Sequence, residues 1–158
     1  MNHYRTLAGS LCCLALATAA QAAPLTTHFP ATGLGSFLAE KFDLASIRSS
    51  FGPRRTPAMR TFADLGLKPS KATDDTVTFE REDWFYELTI VERRDVNGDG
   101  IEDLKACFVD RAVGGPAYHA TKGLLITRYG PNAYALALSF SVDEACGKPP
   151  YLSGPDAR

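Results

Sequence analysis

Residues 84–111 read WFYELTIVERRDVNGDGIEDLKACFVDR, and the fold turns on them. Trp84, Tyr86, Leu88 and Ile90 fall on one side of an extended chain, while Phe85, Glu87, Thr89 and Val91 fall on the other. That period of two belongs to a strand. Leu104, Ala106 and Phe108 alternate in the same way with Lys105, Cys107 and Val109. Between the two runs stand Asn97-Gly98 and Asp99-Gly100, dipeptides that turn a chain back on itself. Residues 84–111 are therefore expected to form one long hairpin.

Working outward, Thr76–Arg81 precedes the hairpin with strand-like alternation, and Tyr118–Tyr129 and Ala133–Val142 follow it. Gly114-Gly115-Pro116 and Gly130-Pro131-Asn132 separate these runs, as turn residues should. The stretch Gly33–Phe51 reads as helical, with Asp43 as N-cap, Phe42 packing on Ile47 as a hydrophobic staple, and Gly52-Pro53 as the stop. An irregular connection over 52–75 is anchored by Phe62, Leu65 and Leu67. The expected fold is α+β: an antiparallel β-meander of about five strands, with one N-terminal helix packed on it, over residues 33–146. Residues 23–32 read as a flexible arm and 147–158 as a C-terminal tail.

The hairpin turn, Asp95-Val96-Asn97-Gly98-Asp99-Gly100-Ile101-Glu102-Asp103, carries oxygen-bearing side chains at its first, third, fifth and ninth positions and glycine at its sixth. Calcium takes six to eight oxygens, and alternate residues of a tightly curled loop aim theirs inward. Asp95, Asn97, Asp99 and Asp103 are the side-chain ligands this spacing selects. Gly100 permits the turn that lets the Ile101 carbonyl join them. Glu102 is out of phase and points away. A plain polar hairpin turn is the competing account, but it leaves three neighbouring carboxylates to repel one another. Magnesium fits less well, because it prefers a rigid six-oxygen shell that keeps its waters.

The twelfth position is Ala106, where a helix-loop-helix calcium site would carry a bidentate glutamate, and the flanks are strands. The run instead resembles the Asp-x-(Asp/Asn)-x-Asp-Gly-x-x-Asp loops between β-strands of FG-GAP and integrin-type repeats. The whole arrangement is similar to small exported bacterial proteins of uncharacterised families with an FG-GAP-like loop. The resemblance spans nine residues, or about twenty with the flanking strands, and implies calcium without implying a propeller, since the motif occurs once.

The chain has 158 residues, with 17 Lys+Arg against 18 Asp+Glu. So even a balance excludes binding to nucleic acid by phosphate neutralisation. Residues 1–22 read as a signal peptide: Arg5 in a short n-region, an uncharged apolar stretch from Leu7 to Ala20, and a small-x-small site at Ala20-Gln21-Ala22. The apolar stretch is shorter than the roughly 20 residues that span a bilayer, so no membrane span is expected after cleavage. Cleavage removes one arginine and no acid, taking the net charge from −1 to −2, and leaves Cys107 and Cys146 as the remaining cysteines. In an oxidising compartment these two most simply pair, two buried free thiols being the other reading.

Nothing else in the sequence announces catalysis. His28 and His119 read as surface residues, and Glu80, Glu82 and Asp83 as the solvated side of a strand. Arg54, Arg55 and Arg60, with Arg93 and Arg94, outline an anion patch against a default of solvated arginines. Trp84, Phe85, Tyr86, Tyr118, Tyr129 and Tyr134 outline a binding face against a default of core packing. The expected protein is periplasmic or secreted, calcium-binding and non-enzymatic. Its partner is expected to be another envelope protein or a glycan, with inhibition or immunity toward an envelope-acting enzyme or toxin as one task its size allows. The alternative is a calcium-dependent hydrolase acting on a phosphate or glycan substrate.

Overall fold

A computed structural model describes residues 24–48, 50–114, 118–141 and Cys146. The expected signal peptide and the expected tail lie outside these residues. In chain order the elements are helix α1 (Leu34–Lys41), β1 (Phe42–Asp43), a 3-10 turn (Leu44–Ser46), β2 (Lys71–Ala72), β3 (Thr76–Glu80), β4 (Trp84–Arg94), β5 (Asp103–Ala112), β6 (His119–Thr127) and β7 (Ala135–Ser141). Among the described residues no helix is long and apolar enough to cross a membrane.

The strands form one sheet in the order β1-β7-β6-β5-β4-β3-β2, with β1 parallel to β7 and every other pair antiparallel. It is a mixed, seven-stranded sheet curled into a half-barrel, with one short helix. This corrects the expected α+β five-stranded antiparallel meander. The missed strands, β1 and β2, are two residues each, too short for any alternation to register. The parallel pairing of β1 is hidden further, because Phe42 and Asp43 lie within the stretch whose spacing reads as helical. Curling has a visible source: the β4–β5 register slips between Ile90 and Glu92, leaving Val91 as an extra, exposed residue. A second slip, between Leu125 and Ile126 of β6, leaves Leu138 of β7 as the extra residue. Each such bulge bends its strand and increases the local twist.

The expected Gly33–Phe51 helix is corrected too. It starts where foreseen, with Gly33 at φ 67°, but ends at Lys41. Asp43 is fully buried, and its carboxylate accepts from the Ala45 amide at 2.9 Å and pairs with the Arg60 guanidinium. It thus caps a single 3-10 turn and not an α-helix. Gly35 explains why α1 lies so close to the sheet: its amide donates to the Thr73 carbonyl at 2.9 Å, and a Cβ there would sit 2.4 Å from the Thr76 carbonyl oxygen.

One face of the sheet carries the core. Tyr86 and Leu88 of β4, and Leu104, Ala106 and Phe108 of β5, are buried on the alternation read from the sequence. The 52–75 connection covers them through Phe62, fully buried, stacked on Phe79 at 4.2 Å and edge-on to Phe108 at 6.0 Å. A disulfide joins Cys107 to Cys146 and ties the middle of β5 to the chain beyond β7. Closing a loop of 39 residues restricts the unfolded chain by about 3–4 kcal/mol.

Candidate metal centre

The turn between β4 and β5 is built on its own carboxylates. Asp95 Oδ1 accepts from the amides of Gly98 at 2.6 Å and Asp99 at 3.2 Å, and its Oδ2 from Gly100 at 2.8 Å. Asn97 Oδ1 accepts from the Asp99 amide and Asp99 Oδ1 from the Ile101 amide, each at 2.9 Å. The Asn97 amide group also donates to Asp99 Oδ2 at 3.0 Å. Gly98 and Gly100 adopt φ near 80°, a conformation that costs other residues far more than glycine. The Gly100 amide, with smaller contributions from Gly98, Asp99 and the charge of Arg94, holds the Asp95 carboxyl below the usual carboxylate range against a partial desolvation.

Asp103, the first residue of β5, lies beneath this turn and is wholly inaccessible to solvent. Its Oδ2 accepts from the Val96 amide at 3.1 Å, whereas its Oδ1 has no hydrogen-bond partner. A second orphan oxygen stands beside it. Leu104 pairs with Ile126 across β5 and β6, so the same register sets Thr127 opposite Asp103, and the buried Thr127 Oγ1 is unpartnered as well. A buried carboxyl group with one oxygen unpartnered calls for a cation or a donor.

The structure therefore bonds both Asp95 and Asn97 to Asp99 and sets Asp103 below, while Ile101 forms a parallel bridge with Thr26. Glu102 turns out of the loop. It takes a two-pronged bond from Arg93, at 3.1 and 2.9 Å, and one from the Thr27 hydroxyl at 2.5 Å. Burial raises its pKa, but the Arg93 and Thr27 bonds and the Arg93 charge outweigh this and hold it below its ordinary value. Among the described residues no group of three or more His, Cys, Asp or Glu side chains is arranged to hold a metal ion. The reason is on view: the loop oxygens are turned onto backbone amides.

The chain matches no family model, no curated protein and no solved structure.

The segment expected as a flexible arm is instead fastened to this loop. The Thr26 amide donates to the Gly100 carbonyl at 3.0 Å, the Glu102 amide returns a bond to the Thr26 carbonyl at 2.8 Å, and Phe29 enters the core. Arg128, which no motif marked, completes the fastening. Its guanidinium is buried, donates to the carbonyls of His28, Ala133 and Pro131, and lies 4.7 Å over the Phe37 ring.

Four of the five arginines of the outlined patch are engaged separately. Arg55 donates to the Phe51 and Ile47 carbonyls, Arg60 pairs with Asp43, Arg93 with Glu102, and Arg94 with Glu92. Nor do the aromatics form a single stripe: Phe85 lies under Arg111 and Tyr134 under Arg60, while Trp84, Tyr86 and Tyr118 gather at the end of the hairpin away from the loop.

Proposed function

We propose that this chain is an exported, non-enzymatic binding protein of the bacterial envelope whose long hairpin is stapled by one structural calcium ion. Asp95, Asp99 and Asp103 would hold the ion through carboxylates, Asn97 through its amide oxygen and Ile101 through its carbonyl. The observation that carries this reading is the buried Asp103 carboxylate, with one oxygen unpartnered beneath a loop of correctly phased acids. A divalent cation supplies the charge that satisfies it and ties the two long strands together at the loop that joins them. The periplasm or the exterior, where calcium is plentiful and disulfides persist, is the compartment that suits both the ion and the Cys107–Cys146 bond. The partner is another envelope protein or a glycan.

The test is thermal melting of the chain from residue 23 onward, with calcium or with a chelator, on the wild type and on Asp95→Ala and Asp99→Ala. Calcium at a hundredfold excess over its dissociation constant stabilises by about 2.7 kcal/mol, or roughly 10 °C for a domain of this size. Both variants lose most of that rise. Identical melting curves with and without calcium would dismiss the metal.

A further inference from the structure

A cavity of about 590 Å³ opens at the other end of the β4–β5 hairpin, where Trp84 begins β4. β4 is eleven residues long, so roughly 35 Å of strand separates this cavity from the calcium loop. That volume lies within the range of small-molecule sites, which combine an aromatic wall with a few placed polar groups.

The wall is held rigid by one buried carboxylate. Asp110, 2% exposed, accepts from the Trp84 indole nitrogen at 2.6 Å and from the Gly52 amide at 2.7 Å, so both its oxygens are engaged. Trp84 stacks on Tyr118 at 5.6 Å between ring centres and 29° between planes, and Tyr86 lies 6.4 Å further in. Burial, and then the neighbouring Asp110 charge, push the Tyr86 hydroxyl up to about 12, so it remains a protonated donor at every physiological pH. Around this wall stand Arg54, Arg81 and Asp83, all exposed. Among the described residues neither arginine has a carboxylate within ion-pairing distance.

We propose that this cavity binds an acidic saccharide. Trp84 and Tyr118 line the cavity as one stacked pair, so they leave no slot between their two rings. A single aromatic face suits the C–H side of a sugar, whose other side keeps its hydroxyls in water; a flat base gains most from a slot. Arg54 and Arg81 supply planar donors that match a carboxylate. Asp83 supplies an acceptor that sugar hydroxyls satisfy and that a doubly charged phosphate would find repulsive. Together the three groups favour a ring bearing one carboxylate and several hydroxyls.

This inference takes up the binding role proposed above but not its calcium, so the two can fail separately. Trp84 is the chain's only tryptophan, so its fluorescence reads the site directly. Titration of the disulfide-bonded protein with digalacturonate should give a saturable change in Trp84 emission. The change should weaken at least about tenfold in Arg54→Ala/Arg81→Ala, whose melting temperature stays that of the wild type because both side chains are exposed. Cellobiose, which is neutral, and AMP, a stacking phosphate, should both bind more weakly. No saturable change up to about 10 mM digalacturonate would overturn the site. An unaffected arginine variant would overturn the carboxylate contact, and equal affinity for cellobiose or AMP would overturn the ligand class.

Discussion

Replacing Glu102 by glutamine tests how the N-terminal segment and the hairpin are joined. Glu102 is 9% exposed, and it receives two bonds from Arg93 and one from Thr27. Arg93 in turn reaches the Pro30 carbonyl at 3.2 Å, so one ion pair connects β4, the loop and the N-terminal segment. The Arg93 side chain is 29% exposed and that of Glu102 11%, which places the pair between two regimes. Exposed pairs are worth about 0–1 kcal/mol, whereas breaking a fully buried pair costs about 3–5 kcal/mol. Glutamine keeps an acceptor for Thr27 and loses only the charge, so Glu102→Gln should destabilise by about 1–3 kcal/mol at neutral pH.

The pH dependence has a definite sign. The folded Glu102 pKa is depressed, so its contribution is fully present above the unfolded value of about 4.3 and disappears as pH falls through the folded value. Urea unfolding of wild type and Glu102→Gln should show the full gap at pH 7 and little of it near pH 3. Hydrogen exchange at the Thr26 amide, which donates to Gly100, should accelerate in the variant at pH 7. A gap under about 0.5 kcal/mol at pH 7, or one unchanged near pH 3, would refute the reasoning.

Three further outcomes follow from the packing and the loop. Gly35→Ala places a Cβ 2.4 Å from the Thr76 carbonyl oxygen and 2.7 Å from that of Thr73, both backbone atoms, so the midpoint of urea unfolding should fall by the equivalent of about 1–3 kcal/mol. Reduction of Cys107–Cys146 should lower stability by about 3–4 kcal/mol, measurable as a drop in melting temperature upon adding a thiol reductant. Asp103→Asn removes a buried charge with an unpartnered oxygen, so in chelator it should melt no lower than the wild type, while the rise with calcium disappears.

The long strands were legible because each is at least five residues of alternating character. Tyr86, Leu88, Leu104, Ala106 and Phe108 occupy the face that the alternation assigns them. What escaped was short or non-local. β1 and β2 offer two residues each, and the parallel pairing of Phe42 with Ala135 joins positions that no local pattern connects. Asp43 misled because a good N-cap looks alike before an α-helix and before one 3-10 turn; burial and the distant Arg60 decided which it serves. The segment around Thr26 lacks periodicity, so its attachment to Gly100 and Glu102 left no local trace. At the loop, the spacing of Asp95, Asn97, Asp99 and Asp103 was plain, whereas the burial of Asp103 beneath it depends on β6. The cavity at Trp84 needed Asp110, twenty-six residues away, to orient the indole.

Calcium binding at the Asp95–Asp103 loop is measured by isothermal titration calorimetry with calcium chloride on the chelator-treated, disulfide-bonded protein. One calcium per chain is expected, with at least about tenfold weaker binding in Asp99→Ala. No heat beyond dilution, or a wild-type isotherm indistinguishable from that of Asp99→Ala, would contradict it.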